Sequence, residues 1–541
     1  MAIPYSELKV LVADDFTHFR DTASSLLSRM GILDIDTVSN GDSAIKACEK
    51  KRYDLVLCDY ELGSGKNGQQ VLEYLREKSM LDSKSVFIVI SGNAERDVVM
   101  SVYDTKPDDY LAKPINSKIL KQRIDRQLSR VDTLRSVYSA LDDDNVTLAI
   151  KRLEHIVQTL GASQLPAIQL LGELYLDANE FDKAKALYEP FAKESRHAWA
   201  EVGLARALLG LDPENGQERA ANLLDKVIER NPYHLPAYDA LIELWSAAEA
   251  HFNAQHVLQR CLDASPRSLK RQQQMAHFAQ LTHDYQSSLK ALKKAIKLGN
   301  KSVYSSCQDN FNFARITAML EEHQRLMYPM LPKEARQLIE KAAQSYELTQ
   351  NERAQSQYLA CHLEAIEGDE SAKRRVCDLH EASLKGAQID DLQTNIDHLN
   401  ALYAVEETER AEHFIHELIT RYALDESKLE KLDIYLREPI SQRNQERVAH
   451  MNRFGIELYD QQEYAQAVDH FEQARIVFPK HIGIQLNVIQ SMIMYWRQLG
   501  SDDDDMLEEI NDLIREVEEI EEKKTEHLES LSTLRSMLES H

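Results

Sequence analysis

The sequence predicts a doubly wound α/β domain at the N-terminus, followed by an all-α array of paired helices. Three observations predict it. Short apolar, β-branched runs alternate with amphipathic stretches over the first 130 residues and stop there. Farther along, proline, aromatic and small residues recur 34 positions apart, as Pro232 and Pro266 do. Only 17 glycines and 13 prolines occur in 541 residues, too little turn chemistry for an all-β chain.

The runs at 9–13 (KVLVA), 53–58 (YDLVLC) and 86–90 (VFIVI) have the length and branching of buried parallel strands. Weaker strands are expected at 35–38 (IDTV) and 110–112 (YLA). Residues 18–30, 42–51, 68–78 and 94–104 between them are amphipathic helices. Strands and helices alternating in this way form one parallel sheet covered on both faces, with its site at the carboxyl ends of the strands. From 116 to 141, Leu120, Ile124, Leu128, Val131, Leu134, Tyr138 and Leu141 repeat on one helical face with no Gly or Pro between them. This helix is expected to leave the first domain and enter the second without a flexible linker.

The repeating units of the array place small residues where paired helices approach and large ones between neighbouring pairs. One unit carries Tyr238, Leu241 and Trp245, then Ala254, Leu258 and Cys261, and ends at Pro266. Others carry Gly172, Tyr175, Ala184 and Tyr188; Trp199, Gly203, Leu224 and Val227, lengthened near Pro213; and Gly455, Ala467, Phe471 and Pro479. Residues 300–440 are helical but match poorly, so the array is expected to be irregular there. At the C-terminus, Asp502 to Asp505 precede an apolar seam from Met506 to Leu538 stepping by threes and fours, with Lys524 and His527 in its middle. The seam suits a coiled coil, hence a homodimer, or equally a helix capping the stack. The expected domains are 1–130 for the α/β domain and 116–145 for a linking helix that overlaps its last helix. The array follows over 146–500, and an acidic C-terminal helix over 501–541.

The net charge of −25 argues against nucleic acid as a partner. The last 41 residues alone carry 15 acidic and 4 basic side chains. No apolar stretch is long enough to enter a membrane, and the N-terminus lacks a basic, apolar leader. Six scattered cysteines without a CxxC pair read as reduced thiols. A cytoplasmic location is expected. No catalytic motif appears after residue 130, so the chain is not expected to be an enzyme acting on a separate substrate.

The chemistry lies at the strand ends. Asp14 and Asp15 close the first strand, Asp59 the third, Ser91 the fourth and Lys113 the fifth. In a parallel sheet these emerge at one edge. Three converging carboxylates require a cation, and hard oxygen ligands suit Mg²⁺. With the Lys113 ammonium and the Ser91 hydroxyl beside it, such a pocket suits a phosphoryl group attacked by a carboxylate.

This constellation resembles the receiver domain of bacterial two-component response regulators over about residues 6–130, through LVADD (11–15), LVLCDY (55–60), VISG (89–92) and DDYLAKP (108–114). The resemblance implies a flavodoxin-like fold, with Asp59 as phosphoacceptor and Asp14, Asp15, Asp59 and the backbone carbonyl of Glu61 around Mg²⁺. Ser91 and Lys113 would hold the phosphoryl oxygens, Tyr110 would be the switch aromatic, and Lys113–Pro114 would be cis. Phosphorylation would draw Ser91 inward and let Tyr110 turn into the vacated space. The loop YELGSGKNG after Asp59 departs from the family by lacking its Met-Pro pair and by about one residue of extra length. Glu61 and Asn93 stand where side chains influence attack by water. The helical array resembles tetratricopeptide (TPR) repeats, which bind peptides or protein segments. The function expected is a response regulator phosphorylated by a histidine kinase, whose output is protein binding through the array rather than DNA binding. The alternative is a phosphotransfer modulator that competes for a kinase or a second regulator.

Overall fold

Five strands, β1 (Lys9–Ala13), β2 (Asp34–Val38), β3 (Leu55–Asp59), β4 (Val86–Ser91) and β5 (Asp109–Ala112), pair in parallel in the order β2-β1-β3-β4-β5. The order reverses between β1 and β3, so a crevice opens at their carboxyl ends. The computed structural model describes the chain except residues 1–3, 93–94, 161–163, 194–196, 214, 387–388, 501–503, 521–524 and 540–541. Asn93, Asp502, Asp503 and Lys524, singled out above, lie outside the described residues.

Helices α1 (Thr17–Arg29) and α5 (Ser117–Asp142) cover one face of the sheet; α2 (Gly41–Lys50), α3 (Gly68–Glu77) and α4 (Arg96–Asp104) cover the other. β1, β3 and β4 are buried on both faces, which is why they read as continuous apolar runs rather than alternating ones. α5 starts at Asn116, whose side chain accepts from the Ile119 N–H, and continues unbroken for 26 residues. Its Leu120, Ile124 and Val131 belong to the core of the sheet domain, whereas Leu134, Val137 and Ala140 belong to that of the first helical pairs. One rigid element therefore serves two cores.

All regular structure after α5 is helical among the described residues, from α6 (Val146–Leu160) to α27 (Thr525–Glu539), apart from short 3₁₀ turns. The paired helices are compatible with a TPR-like array, and glycine sets their spacing. A Cβ at Gly172 in α7 (Leu165–Asp177) or at Gly203 in α9 (Ala198–Leu211) would come within 2.3 Å of the Tyr188 ring, which projects between them from α8 (Phe181–Lys193). Gly455 in α23 (Gln442–Asp460) meets Phe471 in α24 (Tyr464–Val477) in the same way, at 2.3 Å. Between 300 and 440 helix lengths are uneven, down to the six residues of α16 (Glu322–Met327).

Contacts divide the chain into two units, Met1–Leu331 and Pro332–His541. The first contains the sheet domain and the first helical pairs. In the second, two helices, α26 (Asp504–Glu519) and α27, stand where a single one was expected. Their Ile510, Leu513, Val517, Leu531 and Leu534 share a core with Ile489, Met492 and Trp496 of α25 (Ile482–Gln498). The seam's apolar residues thus pack on α25, and Arg535 of α27 pairs with Glu518 of α26 at 2.6 Å. Among the described residues no helix is long and apolar enough to cross a membrane.

Candidate functional site

The sheet brings the strand-end residues together. Asp14, Asp15 and Asp59 each offer a carboxylate oxygen within 4.8 Å of the others. Asp14 and Asp59 are buried, whereas Asp15 faces solvent. Lys113 reaches back from the end of β5, and its Nζ donates to Asp14 Oδ2 and Asp59 Oδ2, each at 2.7 Å. The Phe19 ring of α1 lies 4.3 Å from the same ammonium. Main-chain bonds fix the frame: the Lys113 N–H donates to the Ser91 carbonyl at 2.8 Å and the Tyr60 N–H to the Ile90 carbonyl at 2.7 Å. The Lys113–Pro114 bond is cis.

The loop after Asp59 turns at Gly63, in the left-handed region at φ +70°, and enters α3 at Gly68. A Cβ at Gly68 would come 2.3 Å from the Asp59 carbonyl oxygen, so only glycine lets α3 start this close to the end of β3. The main chain at Glu61 favours the ionised form of the Asp59 carboxylate. Sequence reasoning missed Gly68, Phe19 and Arg20, whose Nη1 donates to the Asp14 carbonyl at 2.7 Å. Only the one-turn spacing of Phe19 and Arg20 from Asp15–Phe16 could have signalled them.

Burial drives the electrostatics. It pushes the Asp59 carboxyl up to about 6; Lys113 pulls the other way and the Asp14 charge adds to the rise. Burial works against the Lys113 ammonium, but its bonds to Asp14 and Asp59 outweigh that and hold its pKa above the ordinary lysine value. One ammonium thus serves two buried carboxylates. Asp59 Oδ1 is buried with no hydrogen-bond partner among the described residues, an uncommon and costly state. A hard divalent cation among these oxygens would relieve it, so the residues present fit Mg²⁺.

Ser91 is buried at the end of β4, and the half-buried Tyr110 is hydrogen-bonded to it. Tyr110 thus contacts Ser91 directly. On its other side the Tyr103 ring of α4 lies 6.4 Å away, centroid to centroid.

Residues 10–125 match the family model of the response regulator receiver domain. Chemotaxis protein CheY of Pseudomonas aeruginosa is 24% identical over 125 residues, covering 23% of this chain and 99% of that protein. The phosphate regulon transcriptional regulatory protein PhoB of Escherichia coli K12 is 28% identical over 126 residues, covering 23% of this chain and 54% of that protein. Among solved structures, the receiver domain of a sensor histidine kinase from Pseudomonas aeruginosa PAO1, with magnesium in its active-site cleft, is 22% identical. It covers 23% of this chain and 98% of its own, with a TM-score of 0.21. Strand order, strand-end chemistry, the family model and the sequence relatives coincide on one stretch: residues 10–125 are a response regulator receiver domain, a module of two-component signalling, joined here to a long helical region.

Proposed function

We propose that the chain is a response regulator phosphorylated on Asp59 by a histidine kinase, and that its output is protein binding through the helical array. The observation that carries this is the orphaned Oδ1 of Asp59, buried beside Lys113 and two further carboxylates. The Asp59 carboxylate is the nucleophile. Its bond to phosphorus forms as the P–N bond of a kinase phosphohistidine breaks, the leaving nitrogen keeping the electron pair. Asp14, Asp15, Asp59 and the Glu61 carbonyl would hold Mg²⁺, which when bound would neutralise charge on the phosphoryl oxygens. Lys113 moves from the paired carboxylates to a phosphoryl oxygen, and Ser91 donates its hydroxyl to another. Tyr110, hydrogen-bonded to Ser91, registers that reorientation.

The net charge of −25 supports a protein rather than nucleic-acid output, and a soluble cytoplasmic setting suits a chain of this composition. The test is incubation with acetyl phosphate and Mg²⁺, with mass spectrometry of the intact chain. One phosphoryl group should add, and Asp59→Asn or removal of Mg²⁺ should abolish it. Equal labelling of Asp59→Asn would show that another residue is the acceptor. Capture of partners by the phosphorylated and unphosphorylated chain then tests the output. A partner set made only of kinases and other receivers would favour a phosphotransfer modulator.

A further inference from the structure

The receiver's α4 ends in a pocket made by the array. Asp104, its last residue, is half-buried with its side chain 9% exposed, and its Oδ1 accepts from Arg271 Nε at 3.1 Å and Nη2 at 2.8 Å. Its Oδ2 accepts from Ser265 Oγ at 2.7 Å. Arg271 Nη1 donates to Asp239 Oδ1 at 2.6 Å, which fixes the guanidinium from behind. Ser265 is fully buried and the Arg271 side chain is 7% exposed. Every oxygen of the Asp104 carboxylate is thus received by a fixed, buried donor, and a guanidinium matches carboxylates better than other acceptors.

The pocket lies on the face formed by α9, α11 (Leu235–Ala247) and α13 (Leu269–Leu281), the first helices of successive pairs. These helices and the receiver's α3 and α4 enclose a cavity of about 1110 Å³. A second contact closes its far side. There Lys301 donates to the Ser64 carbonyl, in the loop after Asp59, and Ser302 Oγ donates to Glu73 Oε2 at 3.0 Å. The receiver therefore covers this face of the array. If α4 left, Arg271 would keep Asp239, while its Nε and the Ser265 hydroxyl would lose their acceptor. A guanidinium held from behind, with a hydroxyl beside it, suits another carboxylate.

We propose that Arg271, Ser265 and Asp239 form a carboxylate-binding site on the array, that Asp104 is its resident ligand, and that an acidic segment of a partner protein replaces Asp104 when α4 withdraws. This rests on the protein-binding output proposed above and names its recognition chemistry. The link to Asp59 is short: Ser91 bonds Tyr110, Tyr110 neighbours Tyr103, and Tyr103 precedes Asp104.

The test uses the full chain and a fluorescent peptide of residues 95–107, with either Asp or Asn at position 104. Asp104→Asn in the protein weakens the resident ligand, so this variant should bind the Asp peptide about tenfold more tightly than the parent does. It should bind the Asn peptide about tenfold more weakly than the Asp peptide. Ser265→Ala added to Asp104→Asn should lower affinity for the Asp peptide severalfold without removing the guanidinium, which guards against misfolding of an Arg271 variant. Equal affinity for the two peptides, or equal binding by parent and Asp104→Asn, overturns the site. Beryllofluoride with Mg²⁺ should raise peptide binding by the parent. If Asp104→Asn behaves as expected and beryllofluoride has no effect, the site stands and phosphorylation control falls. If beryllofluoride acts but the two peptides bind alike, control stands and the carboxylate site falls.

Discussion

Asp59→Asn should stabilise the metal-free receiver domain at neutral pH, although it removes the phosphoacceptor we propose. Burial lifts the Asp59 carboxyl from 3.8 to about 6, against the pull of Lys113. A carboxyl whose folded pKa exceeds its unfolded value binds more protons when folded at pH values between the two. Its contribution therefore favours the folded state at low pH and is lost as pH rises from about 4 through about 6. At about 1.4 kcal/mol per pKa unit, the penalty at neutral pH is on the order of 3 kcal/mol. Part of it passes through Asp14, which gains the whole Lys113 ammonium once Asp59 is neutral. Asparagine has no charge to bury. Amide hydrogen exchange in β1 and β3, with EDTA present, isolates the receiver from the array. Between pH 7.5 and pH 5 the parent should gain roughly tenfold in protection, corrected for intrinsic rates, or about 1.4 kcal/mol. Asp59→Asn should lack that gain and exceed the parent at pH 7.5. Saturating Mg²⁺ should flatten the parent's profile by favouring the carboxylate. If parent and variant profiles run parallel from pH 5 to 7.5, the burial account of Asp59 is wrong.

Gly203→Ala should destabilise the first unit by about 1–3 kcal/mol, because Tyr188 is confined by Gly172 on its other side and cannot yield; an unchanged urea midpoint would refute this. Truncation after residue 503 should expose Ile489, Met492 and Trp496 of α25 and lower the melting temperature. A halved mass by light scattering would instead assign the seam to a dimer. Four glycines inserted after Ser129 break the helix shared by the two cores at about 1 kcal/mol per glycine. Because the receiver also contacts the array directly, a scattering change on adding beryllofluoride should survive the insertion. Its loss would return the coupling to α5.

The receiver was legible because its chemistry sits at strand ends, where a short apolar run and the polar residue after it are neighbours in sequence. KVLVA before Asp14 and VFIVI before Ser91 are enough to place both on one edge. The long helix was equally legible, since nothing between Ser117 and Asp142 could stop it. The orientation of Tyr110 was not, because a side-chain rotamer answers to its neighbours in space. Nor was the pocket at Asp104: its partner Arg271 lies 167 residues away, in a stretch reading LKRQQQ that resembles any solvated helix face. The C-terminal seam kept its threes and fours, but periodicity does not say whether the facing helix belongs to the same chain. Here α25 supplies it.

The receiver is joined to the array by α5, by Asp104 on Arg271 and, among lesser contacts, by Ser64 on Lys301, and these attachments differ in strength. The contact at Lys301 is exposed and contributes at most about 1 kcal/mol. Withdrawing Asp104 gives up three charge-assisted hydrogen bonds, to Arg271 and Ser265, at about 1.5–3 kcal/mol each. Allosteric couplings are typically about 1–3 kcal/mol. Phosphorylation of that strength loosens the receiver without emptying the Arg271 pocket, whereas a partner carboxylate that takes the vacated place removes most of the remaining cost. The release of α4 is therefore expected to require both inputs together: phosphoryl transfer lowers the barrier to exchange, and the acidic partner supplies the ligand that makes exchange favourable.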